Sequence, residues 1–207
     1  MPVRSLQVPE MAKVIQLGFN KTGTSSLGAF FKKNDFKVIS NVKHARIVYK
    51  NIQENLPAFS GIEDFDLAED LEDHRQGIYI SKYFRRIYEA YPDAKYILTT
   101  RCCESWLTSR LRHRAGKYVR RALRNLDIDT VDELLWHWRR DFYSYHSEVL
   151  SFFQGKSNLY VHSVNSLSVD SLLAFLGPEF VFKDKNYPHI VPGRGLGDVL
   201  NFDKSRD

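Results

Sequence analysis

The stretch Val14-Ile15-Gln16-Leu17, continuing through Gly18-Phe19-Asn20-Lys21-Thr22-Gly23-Thr24-Ser25-Ser26-Leu27, constrains this chain more than any other. Its first four residues are a short apolar run ended by glycine, the pattern of a buried strand. Ser25 to Asn34 then places Leu27, Phe30 and Phe31 on one helical face. Between strand and helix lies a loop with two glycines, followed by hydroxyl residues. Glycine has no Cβ, so backbone N–H groups can converge there on one oxyanion. The helix start adds unpaired donors and the positive end of its dipole, and Lys21 adds a full charge. The segment reads as a cradle for a phosphate-like group. It is not the nucleoside-triphosphate loop, in which Lys directly follows the second Gly and precedes Ser or Thr. Here Thr24 follows Gly23 and the lysine precedes it by two residues, so the usual hydroxyl ligand for Mg²⁺ is not specified.

The rest of the chain continues the alternation of strands and helices. Phe36 to Ile39 reads as a strand, His44 to Leu56 as a helix, and Ile78 to Ser81 as a short strand. Phe59 to His74 is acidic and irregular. Tyr83 to Tyr91 reads as a helix stopped by Pro92. Lys95 to Thr100 is a β-branched, apolar strand. Glu104 to about Arg124 reads as one basic helical stretch. Asp129-Thr130 caps a long helix to Phe153. Leu159 to His162 is a strand, and Ser168 to Leu176 a helix closed by Gly177-Pro178. Strands separated by helices imply a parallel sheet covered on both faces. Ligands of such sheets bind at the carboxyl ends of strands, here just after Leu17 and Thr100.

At 207 residues the chain is expected to form one domain, with a core over about 13–190. Phe, Tyr and Trp make up 14% of it, enough apolar surface to exclude disorder as the main state. No run approaches the ~20 apolar residues that span a bilayer, and MPVRSLQVPE contains no secretory h-region. The net charge of +5 favours an anionic ligand. Cys102 and Cys103 are adjacent and few, which points to a reducing compartment, the cytoplasm. The seven histidines show no ligand-like spacing, so no metal is expected.

The Lys-Thr-Gly-Thr-Ser-Ser string resembles the phosphosulfate-binding loop of sulfotransferases that use 3′-phosphoadenosine 5′-phosphosulfate (PAPS). That family holds the donor's 3′-phosphate with an Arg at a strand end and a Ser eight residues on; Arg101 and Ser109 stand at that spacing. An Arg fork suits phosphate. Tyr91 to Arg101, followed by Glu104-Ser105-Trp106, is similar to a YPDAKFILT-R-D-ESW signature of soluble members, with Cys102 in place of the usual Asp or Asn. His146 with Val149, Phe175-Leu176-Gly177 and Pro188-His189 match more loosely, so the resemblance covers about residues 14–190. It implies a three-layer α/β fold of the P-loop NTPase-like kind, a central parallel sheet flanked by helices. It also implies sulfuryl transfer from PAPS, leaving the bisphosphate PAP, without a metal. Lys21 would neutralise the leaving oxygen, and Asn20 with Thr22, Gly23, Thr24, Ser25 and Ser26 would hold the 5′-phosphate. The segment Gly193 to Asp198 is similar to a late family segment on the 3′-phosphate, which makes Arg194 a candidate and 187–207 a loop that closes over the donor.

The family's general base falls between the two anchors. Candidates are His44, Asp66, Glu69, Asp70, Asp73 and His74; Phe65 to Leu71 resembles a family segment that favours Asp70, with His74 second. His146, on an aromatic helix face, reads as a packed core histidine. The basic run Arg110 to Arg121 allows three readings: a solvated face, a track for an anionic acceptor such as an acidic glycan, or a nucleic-acid surface. The expected partner is a small-molecule or glycan acceptor, with no nucleic acid and no membrane. Two other activities remain open on residues alone: a P-loop kinase-like enzyme, and a catalytically silent PAP-binding module.

Overall fold

Neighbouring strand residues bury on opposite faces, and this explains the architecture. The computed structural model describes residues 12–190 except Ala115 and Leu167. Strand β1 (Val14–Gln16) is buried throughout. Val14 packs in one apolar cluster with Leu27, Phe30, Phe31 and Leu176, whereas Ile15 packs in another with Phe84, Trp106 and Phe142. Strand β6 (Lys95–Thr100) repeats the pattern: Ile97 joins the first cluster, and Tyr96 and Leu98 the second. Such strands need cover on both sides, which only a three-layer arrangement provides.

The five-stranded sheet has the order β2-β3-β1-β6-β7, where β2 is Val38–Ile39, β3 Leu67–Ala68 and β7 Leu159–Ser163. All its pairings are parallel. Helices α1 (Thr24–Lys33) and α7 (Asp170–Leu176) supply the first cluster. The opposite face is covered by α2 (Asn41–Gln53), α3 (Phe84–Ala90), α4 (Cys103–Leu111), α5 (Lys117–Leu126) and α6 (Val131–Phe152). The α/β expectation therefore holds.

Local chemistry sets the boundaries. Helix α6 starts at a capping box: Thr130 Oγ1 accepts from Glu133 N (3.2 Å), and Thr130 N donates to Glu133 Oε2 (3.4 Å). The basic stretch after Glu104 is two helices, not one. Arg114 (φ 53°) and Gly116 (φ 74°) are left-handed between α4 and α5, which a continuous helix does not allow. The irregular acidic segment yields β3 and then β4 (Glu72–Asp73), which pairs antiparallel with β5 (Ile78–Tyr79). These two-residue strands are too short to show periodicity. Tyr145, buried on α6, donates its hydroxyl to Leu17 O (2.6 Å) and Ser81 O (3.1 Å), so the long helix pins the end of β1. No helix among the described residues is long and apolar enough to cross a membrane.

Gly18 follows β1 against β6. A Cβ there would meet Thr99 Oγ1 at 2.1 Å and Thr99 O at 2.2 Å. Backbone cannot yield as a side chain can, so Gly18→Ala should destabilise the protein by about 3 kcal/mol. Urea unfolding measures this, and a change under about 0.5 kcal/mol would mean that the loop has room to shift.

Candidate functional site

The loop after β1 and the end of β6 open onto one cleft of about 380 Å³. Its walls include Lys21, Gly23, Thr24, Ser25 and Ser26 from the loop, and Arg101 and Ser109 from β6 and α4. Lys21 (φ 66°) and Gly23 (φ 98°) are both left-handed, which coils the backbone before α1. Gly23 is the N-cap of α1 and has no side chain to cap it, so the first N–H groups of α1 lack the usual side-chain cap. A Cβ on Gly23 would meet Val164 at 2.9 Å on top of its unfavourable φ.

Not every loop hydroxyl faces the cleft. Thr22 is fully buried; its Oγ1 bonds Phe19 O (2.5 Å) and Thr99 Oγ1 (2.7 Å). Ser26 Oγ accepts Ile190 N (3.0 Å), so the chain near the C-terminus returns to the loop and Ile190 joins the wall. Asn20 is buried, and its side chain is committed to the floor. Nδ2 donates to Glu72 Oε2 (3.0 Å) and Tyr118 OH (3.3 Å), and Oδ1 accepts from Arg110 Nε (3.2 Å). Trp106 Nε1 donates to Asn20 O (2.9 Å). Asn20 thus ties the loop to α4, α5 and β4.

Arg101 reaches back across the cleft. Its Nη1 donates to Lys21 O (3.3 Å), while its Nε is buried with no partner. Burial lowers its pKa. An unpartnered guanidinium N–H beside a cleft fits an incoming oxyanion.

Of the six candidate bases, Asp70 and His74 line the cleft. Asp70 (φ 49°) donates its N–H to Gln16 Oε1 (3.3 Å), and Gln16 Nε2 binds Gly18 O and Thr99 Oγ1, each at 2.7 Å. That bracket ties Asp70, just after β3, to β1 and through Gln16 to β6. Burial raises the Asp70 pKa and the nearby Lys21 charge opposes the rise; burial likewise lowers that of Lys21. His74 is held to about 4, by burial first and then by Arg110 and other cations. Its Nε2 lies 3.0 Å from Asn20 Nδ2 and 3.1 Å from Glu72 Oε2. The others are engaged elsewhere: His44 Nδ1 with Ser40 O, Asp66 with Lys37 N, and Asp73 with Arg46. Glu69 lies against Gly28 of α1. His146 stacks on Phe142 at 4.0 Å and binds Phe142 O and Thr100 Oγ1, a packed histidine. Arg194 lies outside the described residues.

Glu72 and Tyr118 line the cleft and were not anticipated. Burial pushes Glu72 up to about 8. Only the acidic character of the Phe59 to His74 run hinted at it, and Tyr118 had no signal beyond lying in the basic stretch. Within that stretch Arg110 is buried, its guanidinium 4.1 Å from the Trp106 ring centre and 4.8 Å from that of Trp138. It is a cation–π element of the floor, not a solvated charge. His113, Arg114, Lys117 and Arg121 face the cleft. Among the described residues no cluster of three or more His, Cys, Asp or Glu could hold a metal ion.

A sulfotransferase-domain model matches residues 13–191, which contain every element of the cleft described above. The chain belongs to the sulfotransferase family. A search of curated proteins finds no match.

The buried acids make sulfotransferase stability depend on pH. Glu69, like Glu72, is pushed to about 8 by burial, from an ordinary value of 4.5. Between those values the folded state keeps protons that the unfolded chain has released, so stability falls as pH rises. His74, His113 and His162, each near 4 when folded, act in the opposite sense, but only below 6.5. The net loss should therefore appear from pH 6.5 to 8. Glu69→Gln should flatten it by up to about 1.4 kcal/mol per pH unit. Urea unfolding at both pH values checks this, and parallel losses in the two proteins would contradict it.

Proposed function

We propose that the protein transfers a sulfuryl group from PAPS to a hydroxyl or amine acceptor. The observation that carries this reading is the meeting of the Lys21–Ser26 loop with Arg101 and Ser109 in one cleft. The loop suits a 5′-phosphosulfate, and Arg101 with Ser109 suits a 3′-phosphate at the other strand end. The unpartnered Arg101 Nε supports the second assignment.

The acceptor oxygen attacks sulfur in line as the bond from sulfur to the 5′-phosphate oxygen breaks, and that oxygen leaves with the electron pair. Lys21 stabilises the charge developing there. Positioning and electrostatics carry most of such a transfer. Asp70 takes the acceptor's proton. Its carboxyl borders the cleft beside Lys21, and its raised pKa makes it a stronger base than an exposed aspartate. Glu72 and Asn20 hold His74, which shapes the floor. Asp70→Asn should cut the rate of PAPS cleavage about a hundredfold and His74→Gln much less; the reverse ranking would assign the proton to His74. The free Cys102 and Cys103 fit a reducing compartment such as the cytoplasm.

Titration calorimetry with PAP tests the donor. Binding should be equal in EDTA and in Mg²⁺, and much tighter than that of ADP, which lacks the 3′-phosphate. Binding of ATP with Mg²⁺ in preference to PAP would replace this reading with a kinase-like one.

A further inference from the structure

One wall of the cleft carries positive charge that the donor anchors do not use. Arg114, Lys117 and Arg121, with His113, come from the turn after α4 and from α5, separate from the loop and from β6. Positions 117 and 121 are neighbours on one helix face, about 6 Å apart along the axis. None of the three cations has a carboxylate partner among the described residues. Some basic side chains elsewhere do: Arg46 with Asp73, Arg85 with Glu148, and Arg139 with Glu104. The carboxyls that share the cleft are Asp70 and Glu72, on the floor. The cleft's apolar side chains are Val42, Val164, Ile190 and the ring of Tyr118, and the cations stand among them.

We infer that the α5 wall is an acceptor subsite for a hydroxyl-rich compound that itself carries acid groups, an acidic saccharide in chemical class. This rests on the donor reading above. The saccharide's acid groups would pair with Lys117 and Arg121, leaving a hydroxyl directed towards Lys21 and Asp70. Cations held in a cleft and short of counter-charge gain most from such pairing. The left-handed turn at Arg114 and Gly116 separates α4 from α5 and starts the helix that carries Lys117 and Arg121.

Calorimetry on PAP-saturated protein tests the inference with two probes, a hyaluronan tetrasaccharide and the neutral chitin tetrasaccharide. The acidic probe should bind at least about tenfold more tightly. The double variant Lys117→Gln with Arg121→Gln should erase that preference and keep PAP affinity within about threefold, whereas Lys50→Gln on the exposed side of α2 should keep it. Equal binding of the two probes would overturn the inference. So would a double variant that loses PAP instead, because the cations would then serve the donor. If the unmodified protein fails to bind PAP, the donor reading falls. The probes titrated on the unliganded protein then still decide the α5 wall, by whether the preference is present and is lost in the double variant.

Discussion

Lys21→Ala should slow PAPS cleavage about a thousandfold while weakening PAP binding only about tenfold. The asymmetry follows from where the charge is needed. On the proposed reading the nucleotide would meet several donors: the start of α1, the hydroxyls of Thr24 and Ser25, and Arg101. The leaving oxygen gains its charge only as the sulfur bond breaks, and a preorganised cation in a partly dry site is worth about 3–4 kcal/mol at that moment. Lys21 is half-buried, the Asp70 carboxylate opposes its desolvation, and Arg101 and Arg114 add positive field. Its left-handed backbone is imposed by the loop, so alanine removes the charge without releasing the turn. Lys21→Arg should recover part of the rate. Equal losses in rate and affinity for Lys21→Ala would make Lys21 a general anchor and not a catalytic group.

Arg101→Ala should raise the Kd for PAP about a hundredfold and leave the Kd for ADP nearly unchanged. The guanidinium keeps one buried N–H without a partner and uses another on Lys21 O. A 3′-phosphate would satisfy the first through a charge-assisted bond worth about 1.5–3 kcal/mol. ADP has only a hydroxyl at that position, so it has little to lose. Ser109→Ala should act in the same direction and more weakly. Parallel losses for PAP and ADP would show that Arg101 only braces the loop through Lys21 O, with the 3′-phosphate held elsewhere.

The parts legible in the sequence were those whose chemistry is contiguous. A strand, a glycine loop and a helix opened by hydroxyls lie within Val14–Asn34, and β6 with Arg101 and Ser109 lies within Lys95–Ser109, so each reads as one local pattern. The parts that were not legible depend on contacts between distant segments. Asn20 was read as a donor contact from its place in the loop, yet Arg110, Glu72, Tyr118 and Trp106 converge on it from three other elements. Thr22 was read in the same way, and Thr99 on β6 draws its hydroxyl inward. Glu72 lies on a two-residue strand with no periodic signal, and packing alone distinguishes it from Asp66 or Asp73. The break between α4 and α5 falls at Gly116. A glycine costs an α-helix only about 1 kcal/mol, so it marks a boundary only when packing also favours one.

A crystal structure of the PAP complex tests the central claim most directly. The account predicts the 5′-phosphate within hydrogen-bond distance of the Gly23–Ser25 backbone and Lys21 Nζ. It predicts the 3′-phosphate on the Arg101 guanidinium, including Nε, and on Ser109 Oγ. A nucleotide with its 3′-phosphate against Lys117 and Arg121, or one lying outside the Lys21–Ser26 loop, would contradict it.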